Sequence, residues 1–180
     1  LLSWSVARSA WWSVSRFFLV GCEAPLDLLT SLRRLRQVCI SDRVLEVGTG
    51  TGYLTALLAS SCAQVTSIDI HGDFLKPASA RLENLGIVNA TFEEGDAAED
   101  WTVDNGWDAI ILTGSVPVPP YSHRNQLTAG GRLVAIVGQS PIMEAMLYSR
   151  GDDGESTEVS LFDTSLPPLI NVRTPSAFTF

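Results

Sequence analysis

The chain holds 180 residues, 46% of them hydrophobic, with a formal net charge of −8. That length suits one domain with a sizeable core, and the acidic balance argues against nucleic acid as the main ligand, because a phosphate backbone calls for a surplus of lysine and arginine. The cysteines, Cys22, Cys39 and Cys62, are odd in number and include no CxxC pair, which suggests neither a disulfide framework nor a zinc site and points to a reducing compartment, the cytoplasm.

The N-terminal stretch differs from the rest. Arg8, Arg16, Arg33, Arg34 and Arg36 outnumber Glu23 and Asp27 there, whereas the remainder of the chain is strongly acidic. The segment LLSWSVARSAWWSVSRFFLVGC has the outline of an export signal, but Arg16 leaves too few apolar residues before Cys22. Arg8 and Arg16 also interrupt any run long enough to span a membrane. Residues 1–31 are therefore expected to be an irregular or truncated segment, and residues 32–180 the functional domain, with no membrane partner.

From Asp42 onward strands and helices alternate. RVLEV (43–47) is an apolar run bounded by Ser41-Asp42 and Gly48, and Tyr53 to Ser60 follows as a crossover helix. Gln64 to Ile70 is a second, β-branched strand, Phe74 to Leu85 a helix stopped by Gly86, and Ala90 to Glu94 a third strand closed by Gly95-Asp96. WDAIILT (107–113) is nearly all apolar, as strands buried on both faces of a parallel sheet are. Tyr121 to Leu127 reads as a short helix, and RLVAIV (132–137) as another buried strand after the turn Gly130-Gly131. Glu144 to Tyr148 and Thr157 to Phe162 are strands joined by the turn GDDG. The pattern predicts an α/β fold: a Rossmann-like, doubly wound, mostly parallel sheet with an antiparallel C-terminal edge hairpin.

In such a sheet ligands sit at the carboxyl ends of the strands where the strand order reverses, and the first glycine loop lies there. Gly48, Gly50 and Gly52 are spaced GxGxG rather than the GxGxxG of dinucleotide folds. Glu46, just before them, would repel a pyrophosphate but suits a ligand carrying ammonium or sulfonium charge. Asp69 ends the second strand, where a carboxylate can accept from both ribose hydroxyls. Asp96 ends the third, where a carboxylate can accept from the amine of adenine while backbone around Ala97 meets the ring. Taken singly, Glu46 could pair with an arginine, Asp69 could cap a helix and Gly95-Asp96 could be a plain turn. Together, at successive strand ends, they point to S-adenosylmethionine. His71 and His123 have no carboxylates at ligand spacing, so no metal site is expected, and Trp101 and Trp107 read as core or rim aromatics.

From about Leu32 to Phe180 the chain resembles the protein-L-isoaspartate O-methyltransferases, through LRRLRQV, DRVLEVGTGTGYLTALLA, VTSIDI, the pair Gly95-Asp96, WDAIILTGSVPVPP, QLTAGGRLVAIVG and FDTSLPPLI. The resemblance implies cofactor binding by Glu46, Gly48, Thr49, Gly50, Gly52, Asp69, Asp96 and Ala97, with S-adenosyl-L-methionine as cofactor. Thr113 and Ser115 would face the methyl group and the substrate. It implies methyl transfer to the free carboxylate of L-isoaspartyl residues in damaged proteins, a repair reaction, with isoaspartyl proteins and peptides as partners. The family's segment of G-H/S-G-x-x-I-S-x-P character has no match in residues 1–31. Three rivals remain: a methyltransferase of the same fold with another substrate, a cofactor-binding relative without activity, and a nicotinamide dehydrogenase, which Glu46 and the GxGxG spacing disfavour.

Overall fold

A computed structural model of the chain describes residues 42–102 and 106–173, all within the unit Val38–Phe180. The expectations for the N-terminal segment, including its boundary at residue 31, lie outside the described residues. Among the described residues no helix is long and apolar enough to cross a membrane.

The elements in chain order are β1 (Arg43–Val47), α1 (Tyr53–Ala59), β2 (Gln64–Asp69), α2 (Gly72–Asn84), β3 (Ala90–Glu94), β4 (Trp107–Val116), α3 (Tyr121–Asn125), β5 (Leu127–Gln139), β6 (Ile142–Arg150) and β7 (Ser156–Asp163). The strands form one sheet in the order β3-β2-β1-β4-β5-β6-β7. β1 to β5 run parallel, and β6 runs antiparallel between β5 and β7. The expected Rossmann-like sheet with an antiparallel hairpin at its C-terminal edge is thus present. The order reverses between β1 and β4, which opens a crevice outside their carboxyl ends.

β1 and β4 are central, and their sequences are apolar on both faces for that reason. The pleat sends Leu45 and Val47 into a core with Ile68, Ile110, Leu112, Leu133, Ala135 and Tyr148, each large aliphatic side chain contributing about 1.5–3 kcal/mol by burial. The alternate residue Glu46 points the other way, onto α1, where Thr55 meets it. Trp107 is a core residue, its ring nitrogen donating to the Trp101 carbonyl at 3.1 Å.

Several boundaries differ from the sequence expectation, two of them for reasons the contacts show. α2 begins at Gly72 instead of Phe74, because Asp69 accepts the His71 N–H at 2.9 Å and turns the chain into the helix at once. β5 begins at Leu127, so the expected turn Gly130-Gly131 lies inside a strand and α3 is correspondingly short. Pairing with β4 jumps from Trp107↔Leu127 to Ala109↔Arg132, and the extra residues bulge through Gly130 at φ 77°. The Thr128 hydroxyl pins the bulge by donating to Asp108 at 2.8 Å. β6 and β7 are joined through Gly151–Gly154 as the GDDG turn predicts, with the Gly154 N–H donating to the Gly151 carbonyl.

Candidate functional site

The loop from Gly48 to Gly52 closes the carboxyl end of β1. Gly48 has φ 98°, Gly50 φ 50° and Gly52 φ 76°, left-handed backbone in which glycine carries no Cβ penalty. A Cβ on Gly48 would fall 2.1 Å from the Thr113 hydroxyl, and one on Gly52 would fall 2.9 Å from Ala78 of α2. At Gly50 the corresponding space is open. The glycines therefore have different uses: Gly48 lets β4 reach the loop, Gly52 lets α2 pack against the start of α1, and Gly50 supplies left-handed backbone at the turn. The Thr113 hydroxyl sits 2.8 Å from the Val47 carbonyl and 2.9 Å from that of Gly48, donating to this pair and tying the loop to β4.

Beneath the loop lies a sealed polar network. Glu46 is fully buried, and its Oε2 accepts from the hydroxyls of Thr55 at 2.5 Å and Ser67 at 2.7 Å. Ser67 spends its proton on Glu46, so the Thr49 hydroxyl, 2.7 Å away, donates to Ser67. Oε1 has no partner among the described residues. Burial pushes the Glu46 carboxyl up to about 7; the two hydroxyls oppose that, and the charge of Asp69 adds to it. Glu46 and Thr49 thus support the loop from below, and neither lines the crevice.

The crevice itself is a cavity of about 190 Å³ walled by Gly48, Asp69, Ile70, Phe74, Asp96 and Ala97, with Pro168, Leu169 and Ile170 across its top. Asp69 holds both oxygens on backbone: Oδ2 accepts from the Gly50 N–H at 3.0 Å and Oδ1 from the His71 N–H. A carboxylate has about four lone-pair sites, so two remain for a ligand. Asp96 accepts from the Ala98 N–H through Oδ1 at 3.0 Å. The Ala97 carbonyl faces Nε2 of His123 at 2.9 Å, which sets the imidazole as an Nε2–H donor. His123 is fully buried, and burial holds its pKa below the ordinary value against the Ala97 carbonyl and the charges of Asp100 and Glu99. Among the described residues the cavity is lined by two aspartates and no lysine or arginine.

The segment over the crevice is a strap fastened to β4. Ser115 is 1% exposed. Its N–H donates to the Pro167 carbonyl at 2.9 Å, its carbonyl accepts from the Leu169 N–H at 3.0 Å, and its hydroxyl donates to the Leu166 carbonyl at 3.1 Å. Gly114 beside it has no Cβ because Leu169 fills that space, 2.7 Å from where the Cβ would stand.

The sequence-predicted residues therefore converge on one end of the sheet, in two tiers. Asp69, Asp96, Ala97 and Gly48 border the open crevice, and Gly50 stands behind Asp69, its N–H on that carboxylate. Glu46, Thr49, Gly52, Thr113 and Ser115 hold its frame, and the hydroxyls of Thr113 and Ser115 are engaged with the loop and the strap instead of pointing into the cavity. Sequence reasoning overlooked Ser67 and Thr55, and weighed His123 only as a metal ligand. Ser67 had a signal, being a polar residue in a buried strand directly beside Glu46 in the parallel register.

This fold and crevice define a Rossmann-like domain of the class I methyltransferase type. A family model for protein-L-isoaspartate(D-aspartate) O-methyltransferase matches residues 24–171. A protein-L-isoaspartate O-methyltransferase of Koribacter versatilis is 39% identical over 134 residues, which is 74% of this chain and 60% of that protein. A solved protein-L-isoaspartate O-methyltransferase superposes with TM-score 0.68 at 24% identity, covering 83% of this chain and 48% of the other. An S-adenosylmethionine-dependent methyltransferase of Thiobacillus denitrificans, in complex with S-adenosyl-L-homocysteine, superposes with TM-score 0.54 at 26% identity over 63% of this chain and 48% of its own. The chain belongs to the protein-L-isoaspartate O-methyltransferase family. It spans about 60% of the length of the curated relatives it matches.

Proposed function

We propose that this chain binds S-adenosyl-L-methionine in the crevice between the glycine loop and the strap. In the whole protein it transfers the methyl group to the free carboxylate of L-isoaspartyl residues in damaged proteins. The observation that carries the cofactor is the lining: two carboxylates at the ends of β2 and β3 with apolar Ile70, Ala97 and Leu169 near them, and no lysine or arginine among the described residues. That set suits an adenosine with a cationic tail and opposes a pyrophosphate. Asp69 would hold the ribose hydroxyls, Asp96 and the backbone at Ala97 the adenine, and Gly48 and Gly50 the tail. Bound there, the cofactor supplies an electrophilic sulfonium methyl.

The chain needs no general base for this reaction, since an isoaspartyl carboxylate, with a pKa of about 4, is already ionised near neutral pH. Its work is to orient and to exclude water, and orientation can supply about 7–11 kcal/mol. Thr113 and Ser115 serve that end by holding the glycine loop and the strap on β4. Residues 1–31 carry no match to the family's G-H/S-G-x-x-I-S-x-P segment, which lies at the substrate carboxylate, so cofactor binding and turnover should separate in this chain. The cytoplasm is the expected compartment, in keeping with the buried free thiol of Cys62.

Calorimetry with S-adenosylhomocysteine and with NAD tests the cofactor; tighter binding of NAD would overturn it. Transfer of labelled methyl to an isoaspartyl peptide, with the aspartyl peptide as control, tests the reaction. This chain is expected to be weak, and a version given a family-like N-terminal segment active. Activity in neither, with the cofactor bound, would favour a relative that acts elsewhere or not at all.

A further inference from the structure

Near the end of the strap, at the surface beside the crevice, stands a residue whose side chain meets Asp96. Asn171 donates from Nδ2 to Oδ2 of Asp96 at 2.8 Å, across 75 positions of sequence. Its backbone is left-handed, φ 66°, the one non-glycine residue so placed among the described residues. Glycine meets that conformation at no steric cost, so what this position has over a glycine is the carboxamide.

The strap has other fastenings besides that carboxamide. On one side Ser115 holds residues 166–169 through its N–H, carbonyl and hydroxyl. On the other, Arg173 engages Glu99, with its N–H donating to Oε1 at 3.2 Å and its Nε 3.4 Å from Oε2. Asn171 lies between these two sets of contacts, the buried one at Ser115 and the exposed one at Arg173. Asp96, by contrast, is exposed and has one other fixed contact, the Ala98 N–H on Oδ1. Oδ1 accepts from its own turn and Oδ2 from the strap, so the two contacts together define one orientation of the carboxylate, and each oxygen keeps a lone pair for a further donor.

We infer that Asn171 is a specificity-determining positioning residue: it orients Asp96 so that the carboxylate accepts the exocyclic amine of adenine, and thereby selects an amino-purine cofactor over its 6-oxo counterpart. The inference rests on the cofactor reading above, in which Asp96 meets the adenine. A 6-oxo purine presents an oxygen where adenine presents the amine, so an oriented carboxylate would repel it instead of accepting from it. A freely rotating Asp96 would turn away and discriminate poorly.

The test measures binding of S-adenosyl-L-homocysteine and of S-inosyl-L-homocysteine, which differ at this one substituent, by calorimetry on the full chain. Asn171→Gly keeps the backbone conformation and removes the donor. Asn171→Asp keeps the shape but replaces the donating amide with an acceptor, and stands in should the glycine variant fold poorly, as judged by its thermal midpoint. Both are expected to weaken S-adenosylhomocysteine by about 3- to 10-fold, the range of one hydrogen bond, and to leave S-inosylhomocysteine within about 2-fold, so that the preference shrinks. Equal weakening of both ligands would make Asn171 a strap tether and overturn the inference. Tighter binding of S-adenosylhomocysteine by the variants would show that Asn171 competes with adenine for Asp96, and also overturn it. A wild-type chain that binds S-adenosylhomocysteine without preferring it over the inosyl analogue would remove Asp96 from the adenine. A chain that binds neither would remove the cofactor reading itself.

Discussion

Replacing Glu46 by glutamine isolates the buried carboxyl under the glycine loop. In the folded chain its pKa stands at about 7, against 4.5 for the free side chain, with burial the leading cause. Between those values the folded state binds a proton that the unfolded state has lost, so the contribution of Glu46 to stability is fully present below pH 4.5 and is lost as pH rises through 7. The gap corresponds to about 3 kcal/mol in full, of which about 2–3 kcal/mol falls between pH 5 and pH 8. In Glu46→Gln the amide oxygen can still accept from Thr55 and Ser67, while its NH₂ enters the place where Oε1 has no partner among the described residues. An unpaired buried amide costs about 1–3 kcal/mol, but equally at every pH. The difference between variant and wild type should therefore change across the pH range while the constant penalty cancels. Urea unfolding at pH 5, 6, 7 and 8 reads this directly: with a slope of about 1–3 kcal/mol per molar, the wild-type midpoint should fall by about 0.7–3 M more than that of the variant. Parallel pH profiles for the two proteins would refute the reasoning and mean that Glu46 is ionised throughout.

Gly48→Ala should destabilise by at least about 2–4 kcal/mol, from left-handed backbone and overlap with Thr113, in urea unfolding; adding Thr113→Ala should recover only a part, and a fully stable Gly48→Ala would contradict the loop geometry. Asp69→Ala should weaken S-adenosylhomocysteine by about 1.5–3 kcal/mol in calorimetry, and should also lower the unfolding midpoint, because the N–H groups of Gly50 and His71 lose their acceptor. Unchanged affinity in a folded variant would reduce Asp69 to a turn residue. Cys62 is buried, with a thiol pushed up to about 11 by burial and by the charge of Asp42, so the native chain should show Cys62 reacting with a disulfide reagent at pH 7 far more slowly than the same thiol in urea. Equal rates, followed by mass spectrometry of the Cys62 peptide, would show that the turn after α1 opens readily.

Local signals decided a good part of this protein. The apolar runs at 43–47 and 107–113, the glycines after the first, and the aspartates closing 64–69 and 90–94 are short-range patterns. Parallel strands buried on both faces, and turns that need left-handed backbone, leave such marks within a few residues. They suffice to bring Asp69, Asp96 and the glycine loop to one end of a sheet. Which face a residue serves is another matter. Glu46 reads as a carboxylate at the mouth of a site, yet the pleat of β1 turns it under α1, onto Thr55 and Ser67, because alternate residues of a strand face opposite ways and only the packed sheet says which way is open. Ser115 reads as a hydroxyl near substrate, yet it binds Leu166 across 51 positions of chain, and Asn171, with no local pattern at all, meets Asp96 across 75. Contacts of that separation depend on how the C-terminal strap returns over the sheet after β7. No period, cap or turn residue encodes that return path, so the lid of the crevice and the partner of Asp96 belong to the tertiary structure alone.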